Sequence, residues 1–360
     1  MELKLPELSD ALKPLPRLKS LVITELENIG RKTPIDRKVF GIAFLSVFAV
    51  LALVALAIPY VVERKPIEVA TPSTETIAAP PPSDDQKIAI AANDARWNDA
   101  LPPAPDKALL DEATGTPIIS MDGREPSVIY ARPYDQKDGR PRISVIVAGL
   151  GQSQQISQAA IVDLPGPITL GFSHLSNEPD AWMERARSNG HEVVLDIPME
   201  PLEYPSNDPG PTTLLAQHTP EQNIKLLQQH LSQGKAYVGL TTLSGSRMNT
   251  LPDKLKPILE EVKKRGLLWI DANLSPLSAG DHVAEELKLP FINVDMHIHS
   301  DMGARSIQQV MDEAESNAIK TGHSVIMVQA TPLALSMLRN WTMNLPKKQF
   351  SLAPLSSLIK

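Results

Sequence analysis

The chain has 360 residues, of which 42% are hydrophobic and 21% are charged, and its formal net charge is −7. This acidic balance argues against a nucleic-acid partner, which would call for a basic surface. The absence of cysteine excludes disulfides, thiolate metal sites and a cysteine nucleophile. The length allows two domains, or one large domain with additional segments.

The first feature in chain order is an uncharged apolar run, Val39–Val62, which follows a tail of residues 1–38. About two dozen helical residues span a hydrocarbon core of about 30 Å. The run is too long and too far from the N-terminus for a cleaved signal peptide. Basic residues precede it, which predicts a cytoplasmic N-terminus: Arg31, Lys32, Arg37 and Lys38. We therefore expect a single-pass protein of the cell inner membrane, with the C-terminal domain in the periplasm.

Many of the 33 prolines of the chain cluster after this run. Pro80-Pro81-Pro82 and Leu101–Pro105 lie in a segment whose composition favours extended polyproline conformations over a packed core. The sequence therefore predicts a Pro-rich periplasmic linker over residues 63–141. The linker would carry one folded domain over residues 142–360.

The pattern changes at Arg142, where apolar strands begin to alternate with helical stretches. Such alternation predicts right-handed βαβ units and a parallel sheet. About seven units favour a closed or nearly closed β/α barrel, and an open doubly wound sheet is the alternative. Both folds gather functional groups at the C-terminal ends of the strands. The predicted strands are 143–150, 168–172, 191–197, 236–240, 267–270, 291–294 and 324–328.

Several strand ends carry distinctive phrases. The longest is Gly190–Pro201, which reads GHEVVLDIPMEP, and Gly245-Ser246-Arg247 follows the next strand. In this order and spacing, residues 142–355 resemble the divergent polysaccharide deacetylase family. The resemblance implies a distorted (β/α)7-type barrel and a role in carbohydrate or cell-envelope metabolism. It also implies removal of acetyl groups from N-acetyl sugars by a water on a metal that Asp and His side chains hold.

The chain departs from the family where the chemistry would lie. The Asp-Asp pair that usually ends the first strand is replaced by Ala148 and Gly149, and two usual histidines by Leu243 and Gln329. A further expected histidine falls at Asp196. A divalent cation needs about three or four ligands, and alanine, glycine and leucine supply none. We therefore expect no cofactor, and binding of an envelope glycan or a periplasmic protein in place of catalysis.

A second hypothesis keeps the enzyme active with a relocated divalent metal such as zinc. Asp295, His297 and His299 form a D-x-H-x-H-x-D run with Asp301. Strand alternation would put them on one face, and imidazoles with carboxylates are zinc ligands. Residues i and i+4 of a strand lie about 13 Å apart, so only neighbouring members can share one ion. The simpler interpretation is a polar strand end with solvated histidines.

The remaining candidates are polar residues of the two family phrases and of a later strand end. Asp196 and Glu200 form a carboxylate pair for contact with a glycan. Arg247 can bind a sugar or a carboxylate in bidentate fashion, and an ion pair with Asp271 or Asp196 is its structural alternative. Asp271 is a further substrate-binding candidate. A third hypothesis is a pure scaffold, in which side chains fill the barrel mouth.

Two other activities are disfavoured by missing motif residues. Gln154 stands where a dinucleotide-binding loop needs its third glycine. A G-x-S-x-G nucleophile elbow is absent, which argues against a serine hydrolase. Trp182, Trp269 and Trp341 lie within predicted elements and are interpreted as core residues.

Overall fold

A computed structural model describes residues 82–359 of the chain. The predicted tail 1–38, the apolar run Val39–Val62 and the first part of the predicted linker, 63–81, lie outside the described residues. Over residues 82–359, no helix combines the length and the apolarity that crossing a membrane requires.

One parallel sheet organises this part of the chain. Its strand order is β6-β5-β4-β3-β2-β1-β8-β7, and the short β9 pairs with the first residues of β1 on the edge opposite β8. The parallel α/β architecture predicted from the sequence is confirmed. The strands are β1 Arg142–Leu150, β2 Thr169–Ser173, β3 Val193–Asp196, β4 Gly239–Thr241, β5 Leu268–Asp271, β6 Phe291–Asn293, β7 Met296–Ile298, β8 His323–Gln329 and β9 Ser351–Leu352.

The strands at the two ends of this order, β6 and β7, follow each other directly in the chain. β6 pairs with β5, through Trp269 and Phe291, and β7 pairs with β8, through Met296 and Ile326. Between them, the Asp295 N–H donates to the Val325 carbonyl oxygen at 3.0 Å. The sheet is therefore strongly curled, as a deacetylase-type barrel requires.

Helices connect successive strands and begin at predictable signals. Thr219 caps α5 in a capping box with Gln222, with Pro220 in the first turn, and Thr331 caps α9 ahead of Pro332. The helices described are α1 Asp84–Ala95, α2 Pro126–Ile129, α3 Gln154–Asp163, α4 Pro179–Ser188, α5 Pro220–Leu231, α6 Pro252–Lys264, α7 Gly280–Leu287, α8 Ala304–Thr321 and α9 Pro332–Thr342.

The core has two layers because side chains alternate across each strand. Ile146, Val194 and Met327 belong to an inner cluster enclosed by the curled sheet. Leu195 and Trp269 belong to an outer cluster, which packs against the helices. Trp182, Trp269 and Trp341 are all buried, as predicted.

The second half of the predicted linker differs from an extended stalk. Residues 82–141 contain α1 and α2 and form one compact unit with the sheet domain. Leu101, Leu109 and Tyr130 are buried, and they supply the apolar anchors that the proline-rich composition concealed. Proline does not prevent packing of an extended segment, because such a segment can bury the side chains that lie between its prolines.

Buried charges fix this segment to the start of β1. The Arg140 guanidinium contacts the Asp138 carboxylate at 2.6 Å and the Asp94 carboxylate at 2.8 Å. Asp138 also accepts hydrogen bonds from the Asn93 side chain of α1 at 3.0 Å and from the Ser351 hydroxyl of β9 at 2.9 Å. The segment therefore closes the N-terminal end of the sheet, opposite the strand ends that the sequence singled out.

Candidate functional site

The candidate site is the C-terminal end of the curled sheet, here called the mouth. Ser173, Asp196 and Thr241 stand side by side in register at the ends of β2, β3 and β4, and all three are buried. Val194, two residues before Asp196, lies in the inner cluster, so alternation directs Asp196 inward as well. The mouth therefore contains a row of two hydroxyl groups around one carboxylate.

The positions where the family resemblance expects ligands meet at this mouth. Ala148 pairs in register with Gln329 across β1 and β8. Gly149 has a left-handed φ of +80°, and a Cβ there would lie 3.6 Å from a methyl group of Leu243. The sheet therefore gathers these four residues at one end, but three of them offer no side-chain donor atom to a metal.

Asp196 is a poorly compensated buried carboxylate. It accepts a hydrogen bond from the Leu243 N–H at 2.7 Å, and the Nδ1 atom of His174 lies 3.9 Å from its other oxygen. Burial raises the pKa of Asp196 to about 7 because the Leu243 bond only partly offsets the lost hydration. At neutral pH this carboxyl group is therefore partly protonated.

His174 was not identified from the sequence, although it directly follows β2. Its Nε2 lies 3.3 Å from the Pro209 carbonyl oxygen, and His230 Nε2 lies 2.9 Å from that of Thr212. The two rings meet edge to face at 5.7 Å, and neither Nδ1 atom has a hydrogen-bond partner within residues 82–359. Burial lowers the pKa of both histidines. They therefore hold the 202–213 loop beside the mouth as neutral side chains.

Glu200 and Arg247 join the two family phrases. The half-exposed Arg247 guanidinium contacts the buried Glu200 carboxylate at 2.7 Å, and the Ala216 N–H donates to the other Glu200 oxygen at 2.6 Å. The predicted ion pair of Arg247 with Asp271 or Asp196 is wrong, because the Arg247 backbone itself bonds the Glu200 carbonyl and brings these side chains together.

Asp271 supports the loop that follows β5. Its carboxylate accepts hydrogen bonds from the Ser278 hydroxyl at 2.6 Å, the Asn273 N–H at 2.7 Å and the Asn249 amide at 3.3 Å. A Cβ at Gly280 would lie 2.0 Å from this carboxylate, so Gly280 is needed for its close approach. These hydrogen bonds give the Asp271 carboxylate a structural role.

The D-x-H-x-H-x-D run does not continue as one strand. Asp295 falls between β6 and β7, where its carboxylate accepts a hydrogen bond from the Val325 N–H at 2.7 Å. His297 lies 2.6 Å from the Ala272 carbonyl oxygen through Nε2, and its ring stacks on that of His299 at 5.5 Å. Burial lowers the pKa of His297.

The described part of the chain bears directly on the expected metal centre. Among residues 82–359, no three His, Cys, Asp or Glu side chains are arranged to hold one metal ion. The Asp295 carboxylate accepts a hydrogen bond from the backbone of β8, and His297 is hydrogen-bonded to a carbonyl oxygen. The residues present at the mouth therefore do not fit the metal that the family resemblance implies.

Comparison with known proteins identifies the family of this chain. Residues 145–359 match the family described as divergent polysaccharide deacetylase. The chain is 18% identical over 219 residues to the uncharacterized protein YibQ of Escherichia coli K12, covering 61% of this chain and 67% of YibQ. It is also similar to the crystal structure of the uncharacterized protein ATU2773 from Agrobacterium tumefaciens C58. That similarity has a TM-score of 0.66 and 32% identity, and it covers 68% of this chain and 98% of ATU2773. The chain therefore belongs to the divergent polysaccharide deacetylase family.

Proposed function

We propose that this chain is a membrane-anchored family member that binds an envelope glycan at the mouth without hydrolysing it. Val39–Val62 would anchor it in the inner membrane, with the N-terminus in the cytoplasm and the curled sheet in the periplasm. The observation that carries the proposal is the composition of the mouth. Ala148, Gly149 and Leu243 stand together where the family resemblance expects metal ligands.

Hydrolysis of an acetamide needs an activated water and a group that polarises the carbonyl. In the family that the chain resembles, the metal activates the water and polarises the carbonyl. Among the described residues, the mouth has no suitable set of metal ligands. A side chain at position 149 is also disfavoured, because an L residue at a φ of +80° is strained. The family fold is therefore retained, while residues that cannot bind a metal occupy the expected catalytic positions.

Polar groups around the mouth support glycan binding. Gln152 is exposed and donates to the Ser173 hydroxyl at 3.0 Å, Arg247 is half exposed, and His297 and Gln329 are partly exposed. Amide, imidazole and guanidinium groups at a concave end can bond sugar hydroxyls. Deeper in the mouth, the buried Thr241 hydroxyl has no partner within residues 82–359, so hydrogen-bonding capacity remains there.

Calorimetric titration of the purified chain with N-acetylglucosamine oligomers and with envelope glycan fragments tests the proposal. We expect saturable binding without release of acetate. Arg247→Ala should weaken binding about tenfold or more, since one charge-assisted hydrogen bond contributes about 1.5 kcal/mol or more. Arg339→Ala, an exposed arginine on α9, serves as the matched control and should bind as the parent does.

Two outcomes would overturn the proposal. Acetate release that a chelator abolishes would show that the chain is an active metal-dependent hydrolase. Absence of binding to every glycan would favour a periplasmic protein partner or a scaffold with a filled mouth.

A further inference from the structure

A cavity of about 530 Å³ is lined by one face of α4 and by the proline-rich stretch 100–105. The helix contributes Asp180, Glu184 and Arg187 to it. The Leu101 N–H donates to the Arg187 carbonyl oxygen at 2.9 Å, which fixes the stretch to the end of the helix. Cavities of about 300 to 1,000 Å³ accept small molecules, so this one is large enough for a ligand.

Arg187 carries a positive charge that no carboxylate among the described residues neutralises directly. The side chain is 4% exposed, and its guanidinium lies 5.2 Å from the centre of the Tyr130 ring. It donates to the backbone carbonyl oxygens of Tyr130 at 2.8 Å, Pro102 at 3.4 Å and Ala236 at 3.5 Å. Its Nε atom has no hydrogen-bond partner within residues 82–359. Burial lowers the pKa of Arg187, as expected for a cation without a paired anion. An anionic group of a ligand would supply the missing partner.

The other charges around the cavity argue against a ligand that is only anionic. Lys235 and Asp180 lie 3.3 Å apart and neutralise each other. Glu184 is exposed, and it has no ion-pair partner among residues 82–359. The cavity therefore presents one unpaired carboxylate, that of Glu184, and one unpaired guanidinium, that of Arg187.

The spacing of these two groups indicates a compact ligand with both charges. Residues three apart on a helix have Cβ atoms about 5 to 6 Å apart on one face, and Glu184 and Arg187 have this spacing. An ammonium and a carboxylate joined through one carbon atom, as in an α-amino acid, can reach both. Three of the six residues of the stretch 100–105 are prolines, which have no N–H. This wall therefore offers carbonyl acceptors to an ammonium and apolar rings to a ligand side chain.

We propose that this cavity binds a free α-amino acid, with the ligand carboxylate on Arg187 and the ligand ammonium on Glu184. Arg187 and Ala236 precede β3 and β4, so this part of the cavity lies at the N-terminal end of the sheet. The site is therefore separate from the mouth. It adds a second ligand to the proposed glycan and does not depend on glycan binding.

Calorimetric titration of the purified full-length chain with alanine, phenylalanine, lysine and glutamate tests the proposal. We expect saturable binding of at least one of them. Its amide lacks the carboxylate that faces the buried Arg187 and should bind about tenfold or more weakly. Its N-acetyl form lacks the ammonium that faces the exposed Glu184 and should bind about threefold or more weakly.

Glu184→Gln is the variant that tests the site without disturbing a buried group. It should weaken binding of the amino acid about threefold. Glu313→Gln, an exposed glutamate on α8, is the matched control and should bind as the parent does. Thermal unfolding of both variants should match that of the parent, because both positions are exposed.

Three results would overturn the proposal. One is the absence of saturable binding of all four amino acids up to about 10 mM. Another is equal binding of the amino acid and of either analogue, which would show that one of the two charges is not recognised. The third is an equal loss of binding in Glu184→Gln and Glu313→Gln, which would place the amino acid outside this cavity.

Discussion

Two buried carboxylates at opposite ends of the curled sheet, Asp138 and Asp196, differ in their polar partners. At the N-terminal end, burial would raise the pKa of Asp138, but hydrogen bonds from Arg140 and Asn93 hold it below its usual value. At the mouth, Asp196 has one hydrogen bond and an uncharged His174 beside it, and burial raises its pKa to about 7. Asp138 is therefore stabilised by complete polar partners, while Asp196 retains hydrogen-bonding capacity that a ligand can satisfy.

Arg140→Ala is expected to have the largest effect on this comparison. It leaves the fully buried Asp138 carboxylate without its cation, which should lower the free energy of unfolding by about 3 to 5 kcal/mol. Lys87→Ala breaks an exposed pair with Asp84 and should cost less than about 1 kcal/mol. Denaturant unfolding of both variants is the measurement. Equal effects would show that the N-terminal end is not held by buried charge.

Asp196→Asn should raise the free energy of unfolding, whereas Arg140→Ala lowers it. The increase should appear only above acidic pH. The folded pKa of Asp196 is raised above its unfolded value of 3.8, so its ionisation destabilises the fold progressively as pH rises from about 4 to about 7. Asparagine keeps an acceptor for the Leu243 N–H and removes that cost, which is at most about 4 kcal/mol at pH 8.

The measurement is thermal or denaturant unfolding of the parent and Asp196→Asn at pH 4 and pH 8. We expect the variant to be more stable at pH 8 and close to the parent at pH 4. A difference that does not change with pH would mean that folding does not raise the pKa of Asp196.

Gly190→Ala tests how tightly residues 82–141 close the N-terminal end. Gly190 has a φ of +90°, and an added Cβ would lie 2.6 Å from the Arg132 guanidinium and 2.7 Å from the Asp99 carbonyl oxygen. Gly322→Ala has the same φ and nothing within 4 Å. Both variants bear the strain of about 1 kcal/mol from the left-handed backbone. The Gly190 variant should lose roughly 1 to 3 kcal/mol more in unfolding experiments. Matched losses would indicate a loosely held segment.

Sequence patterns predicted the parallel sheet and its order of elements well. The strand at 143–150 and the helix before Gly322 have strong apolar periodicity and clear end signals, which local sequence determines. The family phrases likewise located the mouth, because parallel strands share one C-terminal end.

Other features depended on contacts between residues distant in the chain. Proline content concealed the packing of residues 82–141, because burial of Leu101 and Tyr130 depends on surfaces formed by later strands. His174 was missed because one histidine after a strand has no pattern of its own. The ion pair of Arg247 with Glu200 depends on the path of the loop after β3, and the break after Asn293 separates Asp295 from its predicted strand.

Acetate release from N-acetylglucosamine oligomers, followed together with the zinc content of the purified chain, tests the central claim most directly. The claim is that the family barrel is retained while its metal-dependent chemistry is lost from the mouth. It predicts no stoichiometric zinc and no acetate release that a chelator abolishes, even after zinc is supplied. One bound zinc per chain with chelator-sensitive turnover would contradict the claim, and a centre around His297 and His299 would then be the first site to examine.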